Sequence, residues 1–361
     1  MAEYCIAITG LNAADVPCSG INVVRSLKQG FCAGKDSQIK IIGLAYELLC
    51  SASYVEGLFD EVYYVPFPHQ DEDKYLSRIS EITEKRKIDV LIPNLDFEIA
   101  VMSKLEPELR DLGIRLLIPS ESALTQSKKE NLGQLEKLAG IEVPYSIVFS
   151  DRRQITQSAA NFAYPLVVKA ANGEAYVVYS LEEAIVFSNR LIATWGAPLI
   201  MQKFIKGDEY SVAAVADRRQ RILGSVCMKK ILKSRNGATW IGVTTKDEAL
   251  ISIVKRFIER LRWVGPLELE FIKEQTSGKY FLIEVNPRFP TWIHLTTVAN
   301  CNLPLAVVKA ALHQKIEPYP GYKNGILFAR SAMDVTCDIS QLGKLATKKE
   351  LFYYEDKKCS G

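Results

Sequence analysis

Leu282-Ile283-Glu284-Val285-Asn286-Pro287-Arg288 decides how the rest of the chain is read. Apolar and polar residues alternate through it, which describes a strand with Glu284, Asn286 and Arg288 on one face and Ile283 and Val285 on the other. Leu267-Glu268-Leu269-Glu270-Phe271 alternates in the same way. The polar stretch between them, Lys273 to Lys279, contains Gly278 and reads as the turn of a hairpin. Centred on Ser277, that hairpin sets Glu270 directly opposite Glu284, where like charges repel unless a cation lies between them. Two carboxylates with the amide oxygen of Asn286 form a hard oxygen set suited to magnesium, which is commonly held together with nucleotide phosphates. Arg288 adds a planar donor fork for a phosphate or a carboxylate. Pro287 stops the ladder where these polar groups converge.

Glu270 followed by Glu284-x-Asn286-Pro287-Arg288 resembles the magnesium-binding end of the ATP-grasp superfamily, which includes carboxylate–amine ligases, biotin carboxylases and the large subunit of carbamoyl-phosphate synthase. The resemblance implies a fold of α/β and α+β type: an N-terminal doubly wound parallel sheet (the pre-ATP-grasp domain), then a two-lobed ATP-grasp fold. The implied division is 1–120 for the first domain and 121–315 for the second, with a small lid lobe at about 145–205. Residues 316–361 follow as an extension packed on the ATP-grasp core.

Length and composition agree with more than one domain. The chain has 361 residues, more than a single core ordinarily serves. The net charge of +3 carries no strongly basic nucleic-acid footprint. Neither a signal peptide nor a membrane-spanning run is legible, so no membrane partner is expected. Eight cysteines lie far apart without a Cys-x-x-Cys pair, which reads as free thiols in a reducing cytoplasm rather than a zinc site. His69, His294 and His313 are too scattered for a triad or a metal box.

The first third alternates apolar runs (Tyr4–Thr9, Ile39–Leu44, Val62–Pro66, Val90–Pro93, Ile114–Ile118) with helical stretches near Ile21–Lys28, Asp73–Lys87 and Phe97–Leu112. That alternation describes a parallel sheet, and Gly-x-Gly-x-x-Gly is absent from it. A helix is expected from Glu121 to Ala139, ended by Gly140. The resemblance places a basic residue about three turns before the Gly140-Ile141-Glu142-Val143-Pro144 ending; Lys129 matches best, with Lys128 as the alternative.

Pro165-Leu166-Val167-Val168-Lys169 is an apolar strand closed by a lysine, which is costly to bury unless its amine meets an anion. The resemblance gives Lys169 a phosphate. The loop after it, Ala170 to Ala175, has one glycine, where most relatives carry a longer glycine-rich lid. The connector Gln202-Lys203-Phe204-Ile205 is implied to hold adenine, with Gln202 where an acid is usual. Glu209 matches the acid that holds ribose. Strands are expected at Tyr210–Ala216, Ile222–Met228 and Trp240–Thr244, and Lys229, Lys230, Lys233 and Arg235 read as a basic loop run, from which Lys230 or Lys229 would face the transferred phosphate. Ala249–Leu261 and Leu303–His313 read as helices, and Ile326–Ala332 as a strand. Phe289-Pro290-Thr291-Trp292-Ile293-His294 stands where relatives have glycine and serine, which points to a different acceptor pocket. Arg330 is open to two readings, a substrate carboxylate or a structural ion pair.

The activity expected from the resemblance is an ATP- and magnesium-dependent carboxylate–amine ligase that works through an acyl phosphate. Arg288 and Lys230 would be catalytic. Lys129, Lys169, Gln202, Lys203, Phe204, Ile205 and Glu209 would bind ATP, and Glu270, Glu284 and Asn286 would bind Mg2+. Its partners would be a small-molecule carboxylate and an amine, with no nucleic acid and no membrane; a homodimer is an open option. Two rivals stand beside this reading: an enzyme that activates bicarbonate, and a nucleotide-binding regulatory module without turnover.

Overall fold

The computed structural model describes residues 2–12, 18–32, 37–171, 173–234, 237–332 and 334–353. Its N-terminal part runs β1 (Ala2–Ile8), α1 (Gly20–Cys32), β2 (Ser37–Ala45), β3 (Glu61–Tyr64), α2 (Glu72–Lys85), β4 (Val90–Ile92), α3 (Asp96–Lys104) and α4 (Glu106–Asp111). β1 lies between β2 and β4, and β3 pairs with β2, all parallel. The expected fifth strand, Ile114–Ile118, does not form: a single bridge joins Val90 to Arg115. Gly113, at positive φ, ends the preceding turn, and Pro119, which has no N–H to donate, closes the run, so little of it can pair.

The helix expected from Glu121 to Ala139 is broken. α5 (Glu121–Ser127) and α6 (Leu132–Ala139) flank a short 3-10 turn, and Lys128 takes extended backbone (φ −59°, ψ 146°). The Asn131 side chain donates to Thr125 O across the break at 2.7 Å. The consequence is a choice between two lysines: Lys128 is exposed, whereas Lys129 turns into the interior.

A four-stranded antiparallel sheet follows, in the order β5 (Ser146–Phe149), β8 (Leu199–Lys203), β6 (Leu166–Ala170), β7 (Ala175–Val178). α7 (Ile155–Ala159) and α8 (Leu181–Trp195) cover one face of it. Its core, which includes Phe149, Leu166, Val168, Leu191 and Met201, belongs to this lobe alone.

The lobe hands over at Gly207, where a Cβ would lie 1.9 Å from Lys273 O, so only glycine lets these backbones meet. From there runs the central sheet: β9 (Gly207–Ala216), β10 (Ile222–Lys233), β11 (Thr239–Thr245), β12 (Gly265–Glu274) and β13 (Tyr280–Asn286), with α9 (Glu248–Leu261) between β11 and β12. α10 (His294–Val298), α11 (Leu303–Ala311) and β14 (Leu327–Ala329) follow, and the sheet order is β13-β12-β9-β10-β11-β14. α9 buries Leu250, Val254, Phe257, Ile258 and Leu261, one stripe at helical spacing. Lys229, Lys230 and Lys233, expected in a loop, lie within β10, because that strand extends past Met228 to pair with β11. Arg235 lies outside the described residues.

The last elements among the described residues are α12 (Ile339–Lys348) and β15 (Glu350–Phe352). Residues 316–361, expected from the sequence as an extension packed on the ATP-grasp core, contribute to two sheets: β14 pairs with β11, and β15 adds an antiparallel edge to β3 of the N-terminal sheet. The N-terminal and central sheets share their cores. Val23 and Val24 of α1 join one cluster with Ala213, Val226 and Leu303, and Ile79 joins another with Leu269 and Phe271.

Candidate active site

The acidic hairpin forms as its alternation implies, with an added device. Near the turn Lys273 pairs with Tyr280 and Phe271 with Leu282, a register that would set Glu270 against Ile283. A bulge inserts one residue in β13, and beyond it Glu270 faces Glu284 and Glu268 faces Asn286. The carbonyl of Ile283 at the bulge accepts from Lys169 Nζ of the four-stranded sheet, the lobe expected from the sequence to be a lid, at 3.4 Å.

These residues line a cavity of about 570 Å³ between the lid sheet and the central sheet. The size suits a small-molecule site. Lys129, Lys169, Gln202, Lys203, Phe204, Ile205, Glu209, Lys230, Glu270, Glu284, Asn286 and Arg288 all line it, whereas the alternatives Lys128 and Lys229 do not. Gly173, Glu174 and Ala175 of the short loop also border it; Asn172, in the same loop, lies outside the described residues.

Glu284, Glu270 and Glu209, three of the acids that line the cavity, are each matched with a base. Lys129 Nζ lies 3.1 Å from Glu284, and Lys230 Nζ 2.5 Å from Glu270 and 3.7 Å from Glu209. Lys233 pairs with Glu209. Lysines of the chain thus relieve the repulsion between Glu270 and Glu284. Lys230 is buried, which by itself would favour the neutral amine, but Glu270, Glu268 and Glu209 outweigh burial and hold it charged. Among the described residues Lys169 meets no carboxylate at bonding distance: burial first, and then the charge of Lys129, lower its pKa to about 8.

Glu268 was not singled out from the sequence, although it shares a strand face with Glu270 two residues on. It is buried, accepting 2.8 Å from Trp292 Nε1 and 3.1 Å from Asn286 Nδ2. Burial, then the charge of Glu270, pushes its pKa up. Because Asn286 gives its nitrogen to Glu268, its amide oxygen is the free end. Among the described residues no three His, Cys, Asp or Glu side chains converge as a ready-made metal site. The oxygens of Glu270, Glu284 and Asn286 nonetheless suit a hard cation that brings phosphate ligands with it, since phosphates would draw Lys129 and Lys230 away from the acids.

Arg288 does not point into the cavity unheld. Its Nη2 donates 2.8 Å to Asp96, at the start of α3, and its Nη1 donates 3.3 Å to Phe289 O. Burial works against its charge, but Asp96, Glu268 and Glu284 raise its pKa overall. Asp96 had no signal in the sequence, since the partner is 192 residues away. Beyond Arg288, Asn22 of α1 donates 2.5 Å to Thr291 O, and Ser26 of α1 meets His294 Nδ1 at 3.1 Å, so α1 holds the segment that follows Arg288. Arg330 has no ion pair among the described residues: Nη2 donates 2.7 Å to Thr291 Oγ1, and Nε is buried without a partner. Burial lowers its pKa. Thr291 borders the cavity, so a half-buried guanidinium without an anion stands beside it.

Comparison with known proteins agrees with this geometry. Residues 196–330 match the family described as ATP-grasp in the biosynthetic pathway with Ter operon. The phosphoribosylamine–glycine ligase of Helicobacter pylori (strain ATCC 700392 / 26695) is 25% identical over 268 residues, covering 67% of this chain and 63% of that protein. The chain therefore spans less than two thirds of the length of this curated relative. Biotin carboxylase from Campylobacter jejuni, solved as a β-γ-ATP complex, superposes with a TM-score of 0.67 at 17% identity, over 87% of this chain and 72% of that one. L-amino acid ligase from Bacillus licheniformis superposes with a TM-score of 0.63 at 17% identity, over 87% and 77%. The chain has the ATP-grasp fold.

Proposed function

We propose that this chain is an ATP- and magnesium-dependent ligase that joins a small carboxylate to an amine through an acyl phosphate. The observation that supports this most is the cavity itself, where Glu270, Glu284 and Asn286 oppose Lys129, Lys169 and Lys230. Opposed acids and lysines are what a metal-bound triphosphate needs, because phosphate takes the lysines and the metal takes the acids. Phe204 and Ile205 enter no backbone–backbone hydrogen bond among the described residues, which leaves an edge of peptide for adenine. Glu209 serves the ribose. The lid lobe, about 145–205, closes on the nucleotide, and the ligase is cytoplasmic, where ATP is supplied.

Magnesium, held by Glu270, Glu284 and Asn286, would supply charge neutralisation on the triphosphate. Lys169 from the lid, and Lys129 from the turn between α5 and α6, do the same, so that a second anion can approach. Arg288, oriented by Asp96, and Lys230 stabilise the phosphoryl group in transfer. Arg330, which has no ion pair among the described residues, holds the carboxylate of the incoming substrate. A carboxylate oxygen bonds to the γ-phosphorus as the bond to ADP breaks; the amine nitrogen then bonds to the acyl carbon as phosphate leaves, and the amine gives up a proton.

The test is an ADP-release screen over amino acids and small carboxylates, with hydroxylamine in place of the amine. A hydroxamate formed with ADP and phosphate is expected. AMP and pyrophosphate, ADP release that depends on bicarbonate alone, or no turnover with any carboxylate would each overturn the reading.

A further inference from the structure

We propose that Ser146 is a positioning residue that decides which purine the cavity accepts, acting through the amide of Gln202. The inference rests on the nucleotide reading above. Ser146 on β5 and Gln202 on β8 are direct partners in the lid sheet. Ser146 Oγ lies 2.8 Å from Pro144 O, and Gln202 Nε2 lies 2.9 Å from Ser146 Oγ.

A peptide carbonyl can only accept, so the single hydroxyl proton of Ser146 goes to Pro144. Ser146 Oγ is then left as an acceptor, and only the NH2 end of Gln202 can fill it. The flip of the amide is therefore dictated by the network. Gln202 Oε1 takes no hydrogen bond among the described residues and is not a sealed, unpartnered atom, while the side chain borders the cavity. The free carbonyl oxygen opens on the space beside the Lys203–Ile205 connector.

A fixed acceptor there favours a base whose 6-position carries an amino group and disfavours one whose 6-position carries an oxygen, since two carbonyl oxygens repel. Selectivity of this kind comes as much from the unpaired wrong partner as from the right one. Without the Ser146 hydroxyl the amide is free to turn over and offer N–H to a 6-oxo base. Ser146 need not touch the nucleotide to set the preference.

The experiment measures equilibrium binding of Mg-ATP and Mg-ITP to the full chain, so it needs no knowledge of the acceptor substrates. The wild type is expected to prefer ATP. Ser146→Ala should cut the ATP:ITP affinity ratio about five- to tenfold, the worth of one hydrogen bond, with part of the change appearing as tighter ITP binding. Ser146→Thr, which keeps the hydroxyl, should keep the ratio. In Gln202→Glu both carboxylate oxygens accept, so adding Ser146→Ala there should leave the ratio where Gln202→Glu alone puts it. A lid merely loosened by Ser146→Ala would lose both nucleotides equally, and that result, or an unchanged ratio, overturns the inference while leaving the nucleotide site standing. Failure of the wild type to bind either nucleotide overturns both.

Discussion

Glu284 and Glu270 each carry a lysine of their own, so single substitutions there should separate ligand binding from folding. Glu284→Gln keeps the size of the side chain and still offers Lys129 an oxygen; it should lower ADP release at least about 10²-fold, on the scale of losing one electrostatic contact in a transition state. The thermal melt should move little, because a partly exposed pair contributes little to stability. Activity near wild type at saturating magnesium would remove Glu284 from the metal set. Lys169→Ala should weaken Mg-ATP about ten- to a hundredfold and adenosine hardly at all, since a charge-assisted contact to phosphate is what is lost; calorimetry with both ligands decides, and equal weakening would make Lys169 a strut of the lid. A third residue acts on stability alone. Glu98 in α3 is buried and accepts from Thr9, Tyr46, Asn94 N and Leu95 N, yet burial dominates and pushes its pKa up to about 7. The folded chain thus binds this proton more tightly than the unfolded one. The stabilisation is whole below the ordinary value of 4.5 and is lost as pH rises through about 7. The effect is on the order of 3 kcal/mol at most. Glu98→Gln, which cannot ionise, should gain in melting temperature relative to wild type between pH 5 and pH 8; parallel pH profiles for the two proteins would show that Glu98 does not titrate in that window.

At the scale of elements, the short loop between β6 and β7 is held from outside rather than by its own glycines. A Cβ on Gly173 would lie 2.5 Å from the indole of Trp195, at the end of α8, and Ala171 N donates to Pro198 O at 3.4 Å. Gly173→Ala should therefore push the loop off Trp195 and raise the Kd for Mg-ATP about three- to tenfold. Trp195→Ala in the same chain should relieve part of the loss, which is the non-additivity that direct contact produces; strictly additive losses would mean that the two residues act separately. The same stretch shows what sequence could and could not convey. The acidic hairpin was legible because alternation fixes the face of each side chain, and Glu284 and Asn286 follow from it. The bulge that brings Glu270 opposite Glu284 was not, because one extra residue leaves no mark in a polar–apolar pattern. Nor was the break at Lys128–Asn131 legible, since Lys, Glu and Asn all tolerate a helix and the interruption comes from tertiary contact, such as Lys129 with Glu284. Asp96 and Ser146 were invisible for a third reason: their roles come from partners 192 and 56 residues away.

Across the whole molecule, the lid lobe stands apart from everything else in how it is packed. The N-terminal and central sheets bury residues in common clusters, and β15 pairs with β3, whereas the lid's cluster contains lid residues only. Ligand closure should therefore move the lid as one body while the two sheets behind it stay fixed. Among the described residues, Lys169 to Ile283 O at 3.4 Å is the hydrogen bond that the lid strand β6 makes with the acidic hairpin by side chain. A nucleotide that meets Gln202 and Lys169 on one side and Glu209 and Glu284 on the other would add cross-links across the cavity. Local opening of the lid should then become rarer, because opening must break the added contacts. Hydrogen exchange gives the measurement. With a non-hydrolysable ATP analogue and magnesium, the amides of β6, β7 and the loop between them should gain protection about tenfold or more. Those at the centre of β9 and β12, already buried behind other strands, should not change. Equal protection over the N-terminal sheet would show that closure involves the whole chain, and no protection in the lid would show that the lobe does not close on nucleotide.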